Sequence, residues 1–142
     1  MNDSSLPTPE AAEAAFYAAF DAMDAEAMMT VWAPEAVVCI HPLGPRLDDR
    51  ERIAESWRQI FAAGERMRVT PRSTVLARTE ELSVHCVTEV IDHGPTLAEQ
   101  AVVVATNAYR RTEHGWRMVL HHGSPGTGPR RRAPGPEAGR MH

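Results

Sequence analysis

Residues 99–123 read EQAVVVATNAYRRTEHGWRMVLHHG. A run rich in Val, Ala and Thr stops at Glu113-His114-Gly115, and a second mostly apolar run opens at Trp116. β-Branched and aromatic residues fit a pleated strand, and a Gly-bearing break between two such runs marks a chain reversal. The same pattern continues upstream. Strands are expected near 67–79, 82–92, 99–111 and 116–123, with the other breaks at Glu80-Glu81 and His93-Gly94-Pro95. The C-terminal half therefore reads as an antiparallel meander.

The N-terminal half has a different period. Thr8 offers a capping hydroxyl, Pro9 stands where a missing N–H costs nothing, and Glu10 suits the positive helix end. Ala12, Ala15, Phe16, Ala19, Phe20 and Met23 follow at spacings of three and four, one apolar helical stripe. Asp24 caps a short second helix through Met28, Met29 and Trp32, which Pro34 stops. Ala36–Ile40 reads as a buried strand ending at His41-Pro42 and a Gly44-Pro45 turn. Asp48 and Glu51 have capping-box spacing before a third helix with Ile53, Trp57, Ile60 and Phe61 on one face, ending near Gly64. Three helices followed by a meander make an α+β arrangement, with the helices on one face of the sheet.

A chain of 142 residues suits one domain, and 43% apolar with 24% charged residues is ordinary globular usage. The net charge of −4 gives no reason to expect nucleic acid as a partner. Cys39 and Cys86 lie inside expected strands and read as buried thiols. Residues 1–5 lack a basic start and an apolar run, and no stretch is long and apolar enough to span a bilayer, so no membrane association and a cytoplasmic location are expected. Residues 1–8 read as a flexible lead-in and 9–125 as the domain. Residues 126–142, rich in Gly, Pro and Arg and including Arg130-Arg131-Arg132, read as a disordered tail.

The order of elements resembles the nuclear transport factor 2-like superfamily, which includes ketosteroid isomerases and SnoaL-like polyketide cyclases. Three passages carry the likeness: Phe16–Asp24 running to Trp32-Ala33-Pro34-Glu35-Ala36; His41-Pro42-Leu43-Gly44 with Ser56-Trp57-Arg58; and Val102–Arg110 with Gly115–His122. The resemblance covers about residues 9–125. It implies a cystatin-like roll: a cone-shaped, curved antiparallel sheet packed against three N-terminal helices, enclosing an apolar pocket, commonly in a homodimer. A small apolar or polyketide-like molecule is the implied partner. Fold does not settle function, because the scaffold serves isomerases, cyclases, dehydratases and non-catalytic modules.

His41-Pro42-Leu43-Gly44 matches the passage where steroid isomerases carry an aspartate general base before Pro. An imidazole there can move a proton near neutral pH; the alternative is a histidine that only braces the following turn. Asn107 resembles the position of the isomerases' neutral hydrogen-bond donor to an enolate oxygen. An amide donates there at any pH, or else satisfies nearby backbone. The family's helix tyrosine falls on Phe16 when aligned from Asp24 and Trp32, and on Tyr17 when aligned from His41. Phe16 fits the buried stripe and leaves Tyr17 on the flank. His121 and His122 point to opposite faces; Met118 and Leu120 share the face of His122, which makes His122 the expected pocket residue. His85 and Glu89 share a face of their strand, either a polar pocket wall or an outer surface. A metal site from His41, His85, Glu89 and His122 lacks supporting spacing, and no nucleotide-binding or nucleophile-elbow motif is present, so no metal and no cofactor are expected. The expected site is thus His41, Asn107 and His122 for acid–base chemistry, with Phe16, Tyr17, Trp32, Trp57 and Leu120 lining the pocket. The rival expectation is a ligand-binding or dimerisation module without catalysis.

Overall fold

The computed structural model describes residues 6–127. Helix α1 (Pro9–Ala22) is capped by Thr8, whose hydroxyl accepts the Ala11 N–H at 3.0 Å, and closes on Met23 in the left-handed conformation. Helix α2 (Ala25–Val31) starts at Asp24, whose carboxylate accepts the Ala27 N–H. Helix α3 (Arg50–Ala62) is capped by Asp49 rather than Asp48: one Asp49 oxygen takes the N–H groups of both Glu51 and Arg52. Asp48 instead faces Arg46 at 3.6 Å.

The strands are β1 (Val38–Ile40), β2 (Arg46–Leu47), β3 (Met67–Arg78), β4 (Leu82–His93), β5 (Glu99–Thr112) and β6 (Gly115–Pro125), in the sheet order β2-β1-β6-β5-β4-β3. The four long strands match the expected meander closely. The sheet is curved and unclosed but mixed, because β1 runs parallel to β6. β1 returns from the helical layer instead of from a hairpin, so its direction is free of the meander's alternation. β2 is too short to leave a periodic signal.

The residues of α1 that face the sheet form two neighbouring stripes. Ala12, Phe16, Ala19 and Phe20 are apolar and buried. Beside them stand Glu13, Tyr17 and Asp21 at i, i+4 and i+8, each reaching a different part of the sheet; Asp21 accepts the Val69 N–H at 2.6 Å. Rings from α1 and α3 fill the interior. Phe16 meets Tyr17 and Trp57 edge-on at 4.8 and 5.7 Å, and Trp57 meets Phe20 and Phe61 at 5.4 and 5.5 Å. Arg50 ties α3 to the end of α2 by donating to the carbonyls of Met29, Trp32 and Ala33.

One irregularity decides which residues of β6 face inward. Tyr109 pairs with Met118, but Ala108 pairs with Leu120, so Val119 is an extra residue on β6. Such a bulge reverses side-chain parity beyond it. Trp116 and Met118 point in before the bulge, and His121 and Gly123 are the buried positions after it. The lead-in is tied down at Leu6, whose carbonyl accepts the Trp116 N–H at 2.8 Å. The Arg130–Arg132 triplet lies outside the described residues.

Candidate functional site

His41 follows directly on β1, half-buried, with its ring edge-on to Trp57 at 4.8 Å. Its Nε2 lies 2.9 Å from Ser56 Oγ, whose own proton goes to the Ile53 carbonyl at 2.7 Å. A hydroxyl has one proton, so Ser56 must accept and His41 must carry its proton on Nε2, leaving Nδ1 as the basic atom. The side chain therefore braces β1 against α3 rather than the turn after it. Burial pushes its pKa below the ordinary histidine value, so the ring is neutral at pH 7.

His121 stands 6.5 Å from His41, ring centre to ring centre, and starts a chain of hydrogen bonds across the interior. Its Nδ1 is 2.7 Å from Asn107 Oδ1; Asn107 Nδ2 donates to Tyr17 Oη at 2.9 Å; Tyr17 donates to Glu89 Oε2 at 2.6 Å. With the Asn107 oxygen as acceptor, His121 is protonated on Nδ1, and every donor in the chain points toward Glu89. The four side chains come from β6, β5, α1 and β4, and each is at least 95% buried. Burial drives the His121 pKa down to about 3, helped by His41 and His122, so this ring is neutral. Burial drives Glu89 up to about 7; the Tyr17 bond opposes the shift and the Glu13 charge adds to it. Tyr17 is held far above its ordinary range by burial and by the Glu89 charge.

A second cluster sits beside the first. Glu13 Oε1 is 2.8 Å from His85 Nδ1 and accepts from Tyr109 Oη at 3.0 Å, while His85 Nε2 is 2.8 Å from Ser83 Oγ. Glu13 and Tyr17, one helical turn apart on α1, thus hold the two polar clusters against neighbouring strands. Cross-strand pairing of His85 with Asn107 sets the spacing between them.

Of the expected pocket residues, Phe16, Tyr17, Trp32 and Trp57 are buried inside. Tyr17, not Phe16, carries the polar function, so the flank placement is corrected. α1 turns both residues inward because its buried arc extends past the apolar stripe to Tyr17. His122 and Leu120 are corrected as well: His122 pairs with Thr106 and is exposed, and half-buried Leu120 lies on the same outer face. The Val119 bulge is the reason. His85 and Glu89 form the inner polar wall. His122 faces the opposite side from them, so the four side chains His41, His85, Glu89 and His122 do not converge. Asn107 is inside, but its carbonyl and an amide hydrogen are already committed to His121 and Tyr17. Sequence reasoning missed the hydrogen-bonded chain itself, whose one available signal was the polar spacing of Glu13, Tyr17 and Asp21.

Two buried donors, Trp32 Nε1 and Trp57 Nε1, have no protein acceptor. Trp57 packs against both His41 and His121, whose ring centres lie 4.8 and 6.1 Å away. A buried N–H without a partner costs about 1–3 kcal/mol.

The SnoaL-like domain matches residues 10–128. Among solved structures, a Thiobacillus denitrificans protein provisionally described as a calcium/calmodulin-dependent protein kinase type II association domain is 44% identical, with TM-score 0.82, covering 88% of this chain and 100% of its own. A Streptomyces avermitilis protein, provisionally described as a dehydratase of the nuclear transport factor 2-like family, is 31% identical with TM-score 0.74, covering 82% of this chain and 91% of its own. A ketosteroid isomerase-like protein from Erwinia carotovora atroseptica shares the fold at 15% identity and TM-score 0.71, covering 83% of this chain and 93% of its own. No match was found among curated proteins. Helical layer, curved sheet and matched span agree: the chain belongs to the SnoaL-like domain family of the nuclear transport factor 2-like superfamily.

Proposed function

We propose that this domain binds a small carbonyl- or hydroxyl-bearing molecule at half-buried His41, on the outer side of the His41–Trp57–His121 ring cluster, and moves a proton on it. The observation that carries this reading is the directed chain His121–Asn107–Tyr17–Glu89. It ends on a buried carboxyl with a pKa of about 7 and holds the His121 ring next to His41. In this reading the proton leaving the bound molecule goes to Nδ1 of neutral His41, which is half-buried and exchanges it with solvent. Glu89, Tyr17 and Asn107 are positioning residues: their bonds fix the His121 ring, and the Asn107 amide passes no proton on. His121 takes the assisting role expected of His122. The likeness to proteins described as a dehydratase and as ketosteroid isomerase-like supports chemistry of this class. The test is deuterium exchange at the α-carbon of a panel of small cyclic ketones in D2O, followed by proton NMR. Saturable, protein-dependent exchange that Glu89→Gln and His41→Ala each reduce at least tenfold is the expected result. Binding of a panel ketone without exchange would refute the catalytic reading.

A second reading, association between copies, draws on the outer face of the sheet. Val90 pairs with Val102 and Thr88 with Val104 on the side opposite α1, and Val104 is 41% exposed. The protein 44% identical to this chain is provisionally described as an association domain. Sedimentation equilibrium tests this reading. A dimer that Val104→Glu converts to monomer supports it, and a monomer throughout the micromolar range refutes it.

A further inference from the structure

The turn after β1 carries a side chain whose conformation costs free energy that the fold does not offset. Residues 41–44 reverse direction with the Gly44 N–H on the His41 carbonyl at 2.8 Å, and Leu43 stands third in that turn at φ 64°. A positive φ at this position is ordinarily left to glycine, because a side chain there crowds its own backbone. Two other large side chains share the conformation: Met23, which caps α1 and packs against the core, and Leu97, which is half-buried. Leu43 is 92% exposed, so contacts among the described residues offset almost none of its strain.

The same turn folds back over His41. A Cβ placed on Gly44 would lie 3.7 Å from the His41 Cβ, and the ring Nδ1 is two bonds from that atom. His41 Nε2 is turned inward to Ser56, so Nδ1 is the nitrogen left to a ligand. A ligand taken up there meets the turn. Pro42 leans on β6, 3.5 Å from the place a Cβ on Gly123 would take. Of the two side chains between His41 and Gly44, Leu43 is thus the one that packs on nothing among the described residues.

We infer that Leu43 determines specificity at this site: its side chain covers the hydrocarbon part of the molecule whose proton His41 Nδ1 takes. The substrate is then a ketone or alcohol with a bulky apolar flank rather than a small polar one. This inference rests on the His41 reading above and names the substrate class for it. A strained residue kept at a mouth is the pattern expected where binding, not folding, gives the side chain its contacts.

The test uses the full chain and deuterium exchange into two ketones that differ in hydrocarbon bulk, cyclopentanone and 2-decalone. Leu43→Gly keeps the turn, relieves the strain and removes the side chain; Leu43→Ala keeps the strain and removes most of the side chain. Both variants should raise KM for 2-decalone about tenfold, the low end of what burying a leucine contributes, with kcat unchanged and the KM for cyclopentanone in place. Leu43→Gly should melt no lower than the wild type, because relief of strain offsets the greater chain entropy of glycine. KM values that stay the same in both variants, or rise equally for the two ketones, overturn this inference and leave the His41 reading standing. A wild type that exchanges neither ketone overturns both. A lower melting temperature for Leu43→Gly also overturns the inference, since the side chain then has contacts in the fold, or between copies where the drop depends on protein concentration.

Discussion

Replacing Glu89 with glutamine removes the proton that the interior stores while keeping an oxygen for Tyr17 to donate to. Its effect on stability has a calculable pH dependence. The carboxyl is raised from 4.5 to about 7 in the folded protein. Between those values the folded protein holds a proton that the unfolded chain has released, so wild-type stability falls as pH rises through this window and levels off above about 7. At about 1.4 kcal/mol per pH unit the total is about 3 kcal/mol. The E89Q variant has no such titration, and the fixed cost of the extra amide N–H donors shifts its curve without tilting it. Urea unfolding of both proteins at half-unit steps from pH 4.5 to 8 gives the difference curve, in which the other titrating groups cancel. Wild-type stability relative to E89Q should drop by about 3 kcal/mol across that range. Parallel curves would refute the assignment of Glu89 as a buried carboxyl protonated near neutrality.

Tyr17→Phe strands Glu89 Oε2 and the Asn107 amide together. It should cost about 1–3 kcal/mol by urea unfolding and move the Glu89 titration higher still, because the Tyr17 bond lowers it. The His121 ring should remain neutral with its proton on Nδ1 from pH 8 down to 5, as long-range nitrogen–proton NMR would show; a proton on Nε2 would mean that Asn107 donates to the ring instead. Gly115→Ala places a Cβ 2.8 Å from Leu6 N at φ +101°. It should destabilise the domain by about 1–3 kcal/mol and release Leu6, seen as faster amide exchange at Trp116, whose N–H bonds the Leu6 carbonyl.

The α+β layering, the four long strands and the first two helix caps were legible because period and punctuation are local properties. The interior polar chain was not, because its members lie 14 to 90 residues apart in sequence. The exchange of His122 for His121 has a single cause: alternation counted from Met118 cannot see an extra residue at Val119. Tyr17 escapes a reading that treats the apolar stripe as the whole buried face of α1. Buried Tyr17 and half-buried Glu13 show that polar residues one helical turn apart can belong to that face when the sheet supplies partners, while Asp21 reaches the Val69 N–H from the exposed edge. The parallel pairing of β1 with β6 leaves no local mark at all.

Carboxyl carbon chemical shifts, followed by NMR in protein labelled at glutamate, probe the Glu89 proton without any substitution. One buried glutamate signal with a midpoint near pH 7, moving together with the Tyr17 ring signals, is the result expected of a proton store at the end of the chain. A Glu89 signal that titrates near 4.5, with the exposed glutamates, would contradict it and leave the interior chain without its proton at neutral pH.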